Sequence, residues 1–250
     1  MSDRRVLYIV EGAKGEPRFL KKMHQVLFGT RPENIFVIGT TIHELLRSVF
    51  PEGEAEEGLD IVSVLREISG EERRDVLEKE FSDVYMVFDM DPQDPRYDPK
   101  RLGAAMDYFD NPTENGKLYL NYPMLESYRH LTCLDDMGYL DRTIDRQSLS
   151  CYKEIVGKEC CMELQDLGRY TENEFTTIIG FNLMKADRML GGEGDIPTSE
   201  TFLSWNGREL LEIQTGMMDR EGSIFVLNTS VFNAVDFSPS RFCRCRSDAE

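Results

Sequence analysis

The chain has 250 residues, 40% of them hydrophobic, and a formal net charge of −17, which allows one large core, alone or with an appended lobe. The acidic balance argues against a broad basic face that holds nucleic acid by neutralising phosphates. No apolar run is long enough to span a membrane, and residues 6–10 are too few for a signal-peptide core, so we expect a cytoplasmic protein without a membrane segment.

The first segments of the chain alternate between strand-like and helix-like patterns. Residues 6–10 form a β-branched and apolar run typical of a strand buried on both faces of a parallel sheet. Helical spacing of apolar residues begins at Glu16-Pro17. Pro17 fits a helix start, because proline is tolerated in the first helical turn. A second strand at 34–38 and a helix at 42–50, capped by Thr40 or Thr41, repeat the unit. This alternation predicts an α/β fold with a parallel sheet flanked by helices.

The strand predicted at 84–88 runs directly into Asp89-Met90-Asp91-Pro92. Pro92 has no N–H to donate to a neighbouring strand, so the ladder should stop there. Hydrophobic spacing predicts helices on both sides of this strand and one more short strand after it. The predicted helices cover 61–68, 76–81, 102–109 and 124–137, and the additional strand covers 117–121.

Beyond about residue 138 the strand signal fades. Helical patterns at 172–190 and 198–218 dominate, with one strand-like run at 224–227. We therefore predict a core of residues 1–137 and a mainly helical extension of residues 138–250 that packs on the core. The six cysteines show no C-x-x-C spacing, and in a chain without a secretory signal they are expected to be reduced thiols.

Carboxylates follow two of the predicted strands at the point where each strand ends. Glu11 comes after the first strand, and Asp89 and Asp91 close a later one. Ligands collect beyond the carboxyl ends of strands in an open parallel sheet, and two aspartates spaced by two residues share a face if the strand geometry persists. Converging carboxylates repel one another unless they are protonated or hold a hard cation such as Mg²⁺. We favour the cation.

Three motifs resemble a known family, and they cover roughly residues 5–135. Residues 11–19, E-G-A-K-G-E-P-R-F, are similar to the E-G-x-K-T-E-P-x-[YF] opening of the RloB-like branch of the Toprim superfamily, which is related to the OLD-family nucleases. Residues 87–91 are similar to its acidic D-x-D strand end, and residues 121–126 to its N-P-x-F-E helix start. The chain departs from the pattern at Ala13 and Gly15, and at Tyr122, which separates Asn121 from Pro123.

The resemblance implies a role for each matching residue. Glu11 would be a metal ligand and possible general base, while Asp89 and Asp91 would coordinate Mg²⁺ or Mn²⁺. Glu16 would be a second-tier ligand, although a carboxylate in a first helical turn is also favoured by the helix dipole alone. Glu126 would correspond to the helix-start glutamate that supports the site.

Lys14 lies between the first two acidic positions and is a candidate phosphate contact, with a solvated loop lysine as its alternative. Two local basic clusters also stand out against the acidic background. They are Arg18, Lys21 and Lys22, and Arg241, Arg244 and Arg246.

The leading hypothesis is a Mg²⁺-dependent nuclease that cleaves DNA or RNA. The resemblance implies a role in defence against phage beside an ATPase partner, which this chain does not supply because it has no G-x-x-x-x-G-K-[ST] loop. One alternative is a non-catalytic Toprim-like subunit whose acidic surface binds a basic protein partner. A second is a transferase that holds a nucleotide sugar through a cation on Asp89 and Asp91. Oligomerisation remains open.

Overall fold

A computed structural model of the chain describes residues 5–55 and 58–245, with the side chains of residues 71–73 left aside. Its centre is a mainly parallel five-stranded sheet flanked by helices, so the predicted α/β class is confirmed. A separate antiparallel pair joins two short strands of the C-terminal half. The strands are β1 (Val6–Val10), β2 (Asn34–Val37), β3 (Asp83–Asp89), β4 (Asp110–Asn111), β5 (Gly116–Asn121), β6 (Thr143–Asp145) and β7 (Ser223–Phe225).

The order of strands in the large sheet is β2-β1-β3-β5-β4. The chain moves from β1 to β2 on one side and then returns to place β3 on the other side of β1. Only β4 runs antiparallel, at the edge beside β5. Where the strand order of a parallel sheet reverses, the connections from two neighbouring strands run to opposite sides of the sheet. A crevice then opens beyond the carboxyl ends of these two strands. Here that crevice lies between β1 and β3.

The strands lie at the centre of the protein because their apolar side chains point alternately to the two faces of the sheet and both faces are covered. Four of the five residues of β1 are buried, and Tyr8 and Tyr85 lie in register on neighbouring strands with stacked rings. Helices cover both faces, as a parallel sheet requires. They are α1 (Gly15–Phe28), α2 (Ile42–Val49), α3 (Ile61–Ile68), α4 (Glu71–Leu77), α5 (Pro99–Tyr108), α6 (Tyr152–Glu159), α7 (Glu172–Met189), α8 (Ser199–Ser204), α9 (Gly207–Glu221), α10 (Phe232–Phe237) and α11 (Pro239–Phe242).

Three predicted helices differ from the structure. The segment 124–137 holds only a short 3₁₀ helix, Leu125–Arg129, because the Asp136 carboxylate accepts the N–H and hydroxyl of Thr132 and favours a local turn over a helix. The predicted helix at 198–218 is divided into α8 and α9, since Asn206 accepts the N–H of Arg208 and starts a new helix. The helix predicted at 76–81 is α4 in the structure, which begins at Glu71 and ends at Leu77.

The C-terminal half combines α6 to α11 with β6 and β7, and part of it pairs directly with the end of β5. Tyr122 and Leu227 exchange backbone hydrogen bonds of 2.8 and 2.9 Å. The hydroxyl of Thr229 donates to the carbonyl of Leu120 at 3.0 Å. Residues 227–230 therefore lie against the same sheet edge at which β3 and β5 end.

Within the described residues, no helix is both long and apolar enough to cross a membrane. All six cysteines are unpaired thiols.

Candidate metal centre

The acidic strand ends predicted from the sequence lie next to each other in the sheet. Val10, the last residue of β1, is in register with Val87 of β3. Glu11 therefore lies beside the end of β3, which is Asp89. Asp89 in turn pairs with Asn121, the last residue of β5. The crevice between β1 and β3 is thus bordered by Glu11 on one side and by Asp89 on the other.

Asp91 reaches this site by a route that differs from the prediction. Strand β3 ends at Asp89, and Asp91 has a φ of 40°, a left-handed conformation that aspartate adopts more readily than most residues. Extended geometry therefore does not persist through Asp91. Its carboxylate accepts a 2.9 Å hydrogen bond from Gln93, while His43 donates from Nε2 to the carbonyl of Met90 at 2.8 Å and fixes the turn.

Glu11 is half-buried and has a strongly perturbed carboxyl group. Burial, followed by the charges of Asp91 and Glu16, raises the pKa of Glu11 to about 8. A backbone N–H of Asp89 and the more distant Lys153 offset only part of this effect. The buried Oε2 atom of Glu11 has no hydrogen-bond partner among the described residues. An anion in this position needs a counter-charge.

Asp89 is buried, with 7% of its surface exposed, and its pKa lies well above the ordinary range because of burial and four neighbouring carboxylates. Those neighbours are Asp91, Glu11, Glu16 and Glu126. Burial also raises the pKa of Asp91 despite the hydrogen bond from Gln93. The other four acidic residues singled out from the sequence therefore all lie close enough to Asp89 to act on it electrostatically.

Glu16 lies in the first helical turn, as the sequence predicts, and its carboxylate is buried near the acidic site. It lies in the first turn of α1, where backbone N–H groups of Glu16 and Gly12 bond its carboxylate, yet burial still raises its pKa. Gly12 allows this approach: a Cβ at that position would stand 2.9 Å from Oε2 of Glu16. The glycine of the first motif thus leaves room for the glutamate of the same motif.

Gly12→Ala is expected to push the Glu16 carboxylate away from the Gly12 N–H and to lower the free energy of unfolding by about 1 kcal/mol, the usual worth of one such hydrogen bond. Gly157→Ala is the matched control, because a Cβ there meets nothing within 4 Å inside helix α6, and it should stabilise the protein by roughly 0.5–1 kcal/mol. Urea denaturation measures both. Equal stability of Gly12→Ala and wild type would contradict the contact.

Glu126 is joined to the site by a lysine that sequence reasoning missed. Lys153, at the start of α6, places Nζ 3.5 Å from Oε1 of Glu126, while the buried Oε2 of Glu126 has no partner in the described part of the chain. Burial alone would lower the pKa of Lys153, but Glu126, Asp89 and Asp91 outweigh it and raise that pKa. A lone exposed lysine 27 residues beyond the end of the third motif, at residue 126, carries no sequence signal.

Lys153→Gln is expected to raise the pKa values of Glu11, Glu16 and Asp91, because the Lys153 charge lowers each of them. The acidic limb of any pH–rate or pH–binding profile of this site should therefore move to higher pH. Lys153→Arg should restore the wild-type profile, and Lys158→Gln, an exposed lysine of the same helix, should leave it unchanged. An unmoved limb in Lys153→Gln would show that this lysine does not act on the cluster.

Asn121, on the neighbouring strand β5, supports Asp89 and is itself held by Ser230. The Asn121 amide donates to Oδ1 of Asp89 at 3.4 Å, and its own oxygen accepts the Ser230 hydroxyl at 2.5 Å. Both residues are fully buried. Asn121 belongs to the third motif, whereas Ser230 comes from the C-terminal half, so its part in the site depends on the tertiary fold.

The oxygen-only donor set suits a hard cation, and the unpaired buried oxygens of Glu11 and Glu126 suit one further ligand. Among the described residues, no group of three or more His, Cys, Asp or Glu side chains is arranged so that it could hold a metal ion. Mg²⁺ does not need one, because it binds through one or two carboxylates and keeps several waters. The structural observation that points to a cation here is the pair of unpaired buried carboxylate oxygens of Glu11 and Glu126.

Lys14 directly precedes α1 and is exposed, with no side-chain contact that caps the helix. It borders the acidic site without an ion pair in the described part of the chain. A cavity of about 330 Å³ lies elsewhere, between α5, β5 and the α8–α9 junction, and none of the five acidic residues of the site lines it. The site chemistry is concentrated at the sheet edge.

No model of a known protein family, no curated protein and no solved structure matches this chain.

Proposed function

We propose that the protein is a Mg²⁺-dependent nuclease of the Toprim type, which hydrolyses phosphodiester bonds in DNA or RNA. One observation carries the proposal: Glu11 and Asp89 lie at two adjacent strand ends, and the charges of Asp91 and Glu16 act on both of their carboxyl groups. The resemblance of the three motifs supplies the chemistry. It also supplies the proposed setting, anti-phage defence in the cytoplasm beside an ATPase partner.

Glu11, Asp89 and Asp91 would hold the cation, with Glu16 and Glu126 behind them. A bound Mg²⁺ or Mn²⁺ supplies positive charge to the scissile phosphate and acidifies an attacking water. Glu11, which is half-buried and has one unpaired oxygen, would accept a proton from that water. Lys14 would contact the phosphate from the edge of the site. Asn121 holds Asp89 in place through the hydrogen bond to its Oδ1.

The geometry favours this proposal over the nucleotide-sugar transferase. A D-x-D transferase needs only the two aspartates on its cation, and the proximity of Glu11 and Glu16 to them would have no role. The non-catalytic scaffold would need neither the unpaired buried oxygens nor the mutual raising of carboxyl pKa values, both of which destabilise an empty site.

The test is cleavage of plasmid DNA and structured RNA by the purified protein with Mg²⁺ or Mn²⁺, alone and with a candidate ATPase partner. We expect cleavage that EDTA abolishes. If wild type and an Asp89→Ala/Asp91→Ala variant were equally inert on both polymers, with and without the ATPase, the nuclease proposal would fail and the scaffold would replace it.

A further inference from the structure

Helix α1 has two faces of opposite character. Phe19, Leu20 and Met23 are buried in the core, whereas Arg18 and Lys21 are exposed on the other side. Residues three and four positions apart on a helix are neighbours, so Arg18, Lys21 and Lys22 form one basic ridge. The buried face fixes the helix beside the sheet and directs the ridge to solvent.

A groove of about 470 Å³ runs along this ridge. Five of its ten lining residues are Lys or Arg and none is Asp or Glu, which reverses the charge of a chain whose net charge is −17. The groove is lined by Ala13, Lys14, Pro17, Arg18, Lys21, Lys22, Gln25, Arg31, Leu167 and Gly168.

Among the described residues, only one cation of this groove forms an ion pair with a carboxylate. Arg18 forms one exposed ion pair with Asp166 at 3.4 Å, Lys22 donates to the carbonyl of Gly168 at 2.8 Å, and Arg31 donates to Gln25 at 2.9 Å. Among the residues that the structure describes, Lys14 and Lys21 have no ion-pair partner. Most of the positive charge therefore remains available to an external anion.

The second basic cluster of the sequence behaves differently. Arg241 pairs with Glu172 at 2.6 Å and Arg244 with Asp195 at 3.3 Å, so their charges are neutralised inside the molecule. Arg246 lies outside the described residues. The cluster on α1 is joined with Lys14 and Arg31 in one groove.

One end of the groove is close to the acidic site along the chain. Lys14 follows Glu11 by three residues and stands at the start of α1. From Lys14 to Lys22 the helix rises about 12 Å at 1.5 Å per residue. This length matches the phosphates of about three or four nucleotides of one strand at 3.4 Å each.

We propose that this groove binds the backbone phosphates of a nucleic-acid strand and leads the scissile phosphate to the acidic site. The inference rests on the proposed function of that site. Carboxylates repel an approaching phosphate until a cation is bound, and a row of lysine and arginine beside them offsets this repulsion. Backbone contacts of this kind carry no sequence preference, so the groove would accept many sequences.

The test compares Arg18→Gln/Lys21→Gln with Lys158→Gln/Arg220→Gln, which removes the same charge from exposed residues that do not line the groove. Fluorescence anisotropy with labelled single-stranded DNA and RNA 12-mers in EDTA measures binding without metal-dependent cutting. The groove variant should reduce the slope of log Kd against log salt by about 1.4, at about 0.7 per lost phosphate contact, and should weaken binding at low salt by at least about tenfold. The control variant should bind like wild type, and all variants should share one melting temperature.

The outcomes separate the two proposals. Equal salt slopes for the groove variant and wild type, or an equal loss in the control variant, would overturn the groove. Cleavage by wild type with an unchanged KM in the groove variant would also overturn it and leave the nuclease intact. Groove-dependent binding without cleavage under any metal would keep the groove and remove the nuclease. Absence of both binding and cleavage in wild type would remove both.

Discussion

Asp89→Asn/Asp91→Asn is expected to abolish metal-dependent cleavage while making the metal-free protein more stable. The two substitutions keep the side-chain shapes but remove two of the anions proposed to hold Mg²⁺. The substitutions remove several kcal/mol of charge stabilisation from the transition state. The cleavage rate should therefore fall by a factor of about 10³ or more, because each 1.36 kcal/mol is a factor of ten. Initial rates of plasmid and RNA cleavage measure this loss.

Stability should change in the opposite direction. Asp89 is buried beside four other carboxylates, and burial with this repulsion holds its pKa far above the ordinary range. A neutral amide removes that penalty and retains an oxygen to accept the hydrogen bond from Asn121. The melting temperature in EDTA should therefore rise. Loss of activity together with a lower melting temperature would instead indicate that the aspartates hold the fold.

The matched control is Asp75→Asn/Asp219→Asn, which makes the same charge change at two exposed aspartates. It should cleave like wild type and melt at nearly the same temperature, because surface substitutions away from buried features usually change stability by less than about 0.5 kcal/mol. If this control lost activity as well, the effect would be one of net charge.

Local signals predicted the sheet well because they are stored in short stretches of sequence. The apolar run of β1 was predicted with the observed bounds, and β3 extends its prediction by one residue at each end. Glu11 and Asp89 were placed at one edge because parallel strands end on the same side. What these signals did not contain is the order of strands, which makes β1 and β3 neighbours.

The remainder of the site depends on residues that meet only after folding. Lys153 and Ser230 reach the cluster from the C-terminal half, through α6 and through the segment paired with β5. Asp91 joins it through a left-handed backbone turn rather than through strand alternation. Helix periodicity also failed at 124–137, where a Thr132–Asp136 contact stabilises a turn that hydrophobic spacing does not encode.

The stability of the metal-free protein should fall as pH rises, and Mg²⁺ should reverse this fall. The pKa of Glu11 is raised from its ordinary value to about 8, and those of Glu16, Asp89 and Asp91 are also raised. An acid whose pKa is higher in the folded state contributes stability that is complete below its ordinary pKa. That stability is lost as pH rises through the folded-state pKa. For Glu11 the loss occurs between roughly pH 4 and pH 8.

Thermal unfolding in EDTA should therefore give a lower melting temperature at pH 8.5 than at pH 5.5. Mg²⁺ at about 100 times its Kd contributes about 2.7 kcal/mol to the folded state, which corresponds to about 5–10 °C for a chain of this size. The increase should be smaller at pH 5.5, because protons then compete with the cation for the same oxygens. Mn²⁺ should act in the same way.

The variants decide whether these effects come from one site. In Asp89→Asn/Asp91→Asn, both the destabilisation at high pH and the stabilisation by Mg²⁺ should shrink, whereas Asp75→Asn/Asp219→Asn should retain both. A cation that stabilised every variant equally would be screening the charge of −17 over the whole surface. Because screening acts on all acidic residues and coordination acts on a few, only coordination predicts that the pH dependence and the metal dependence disappear together.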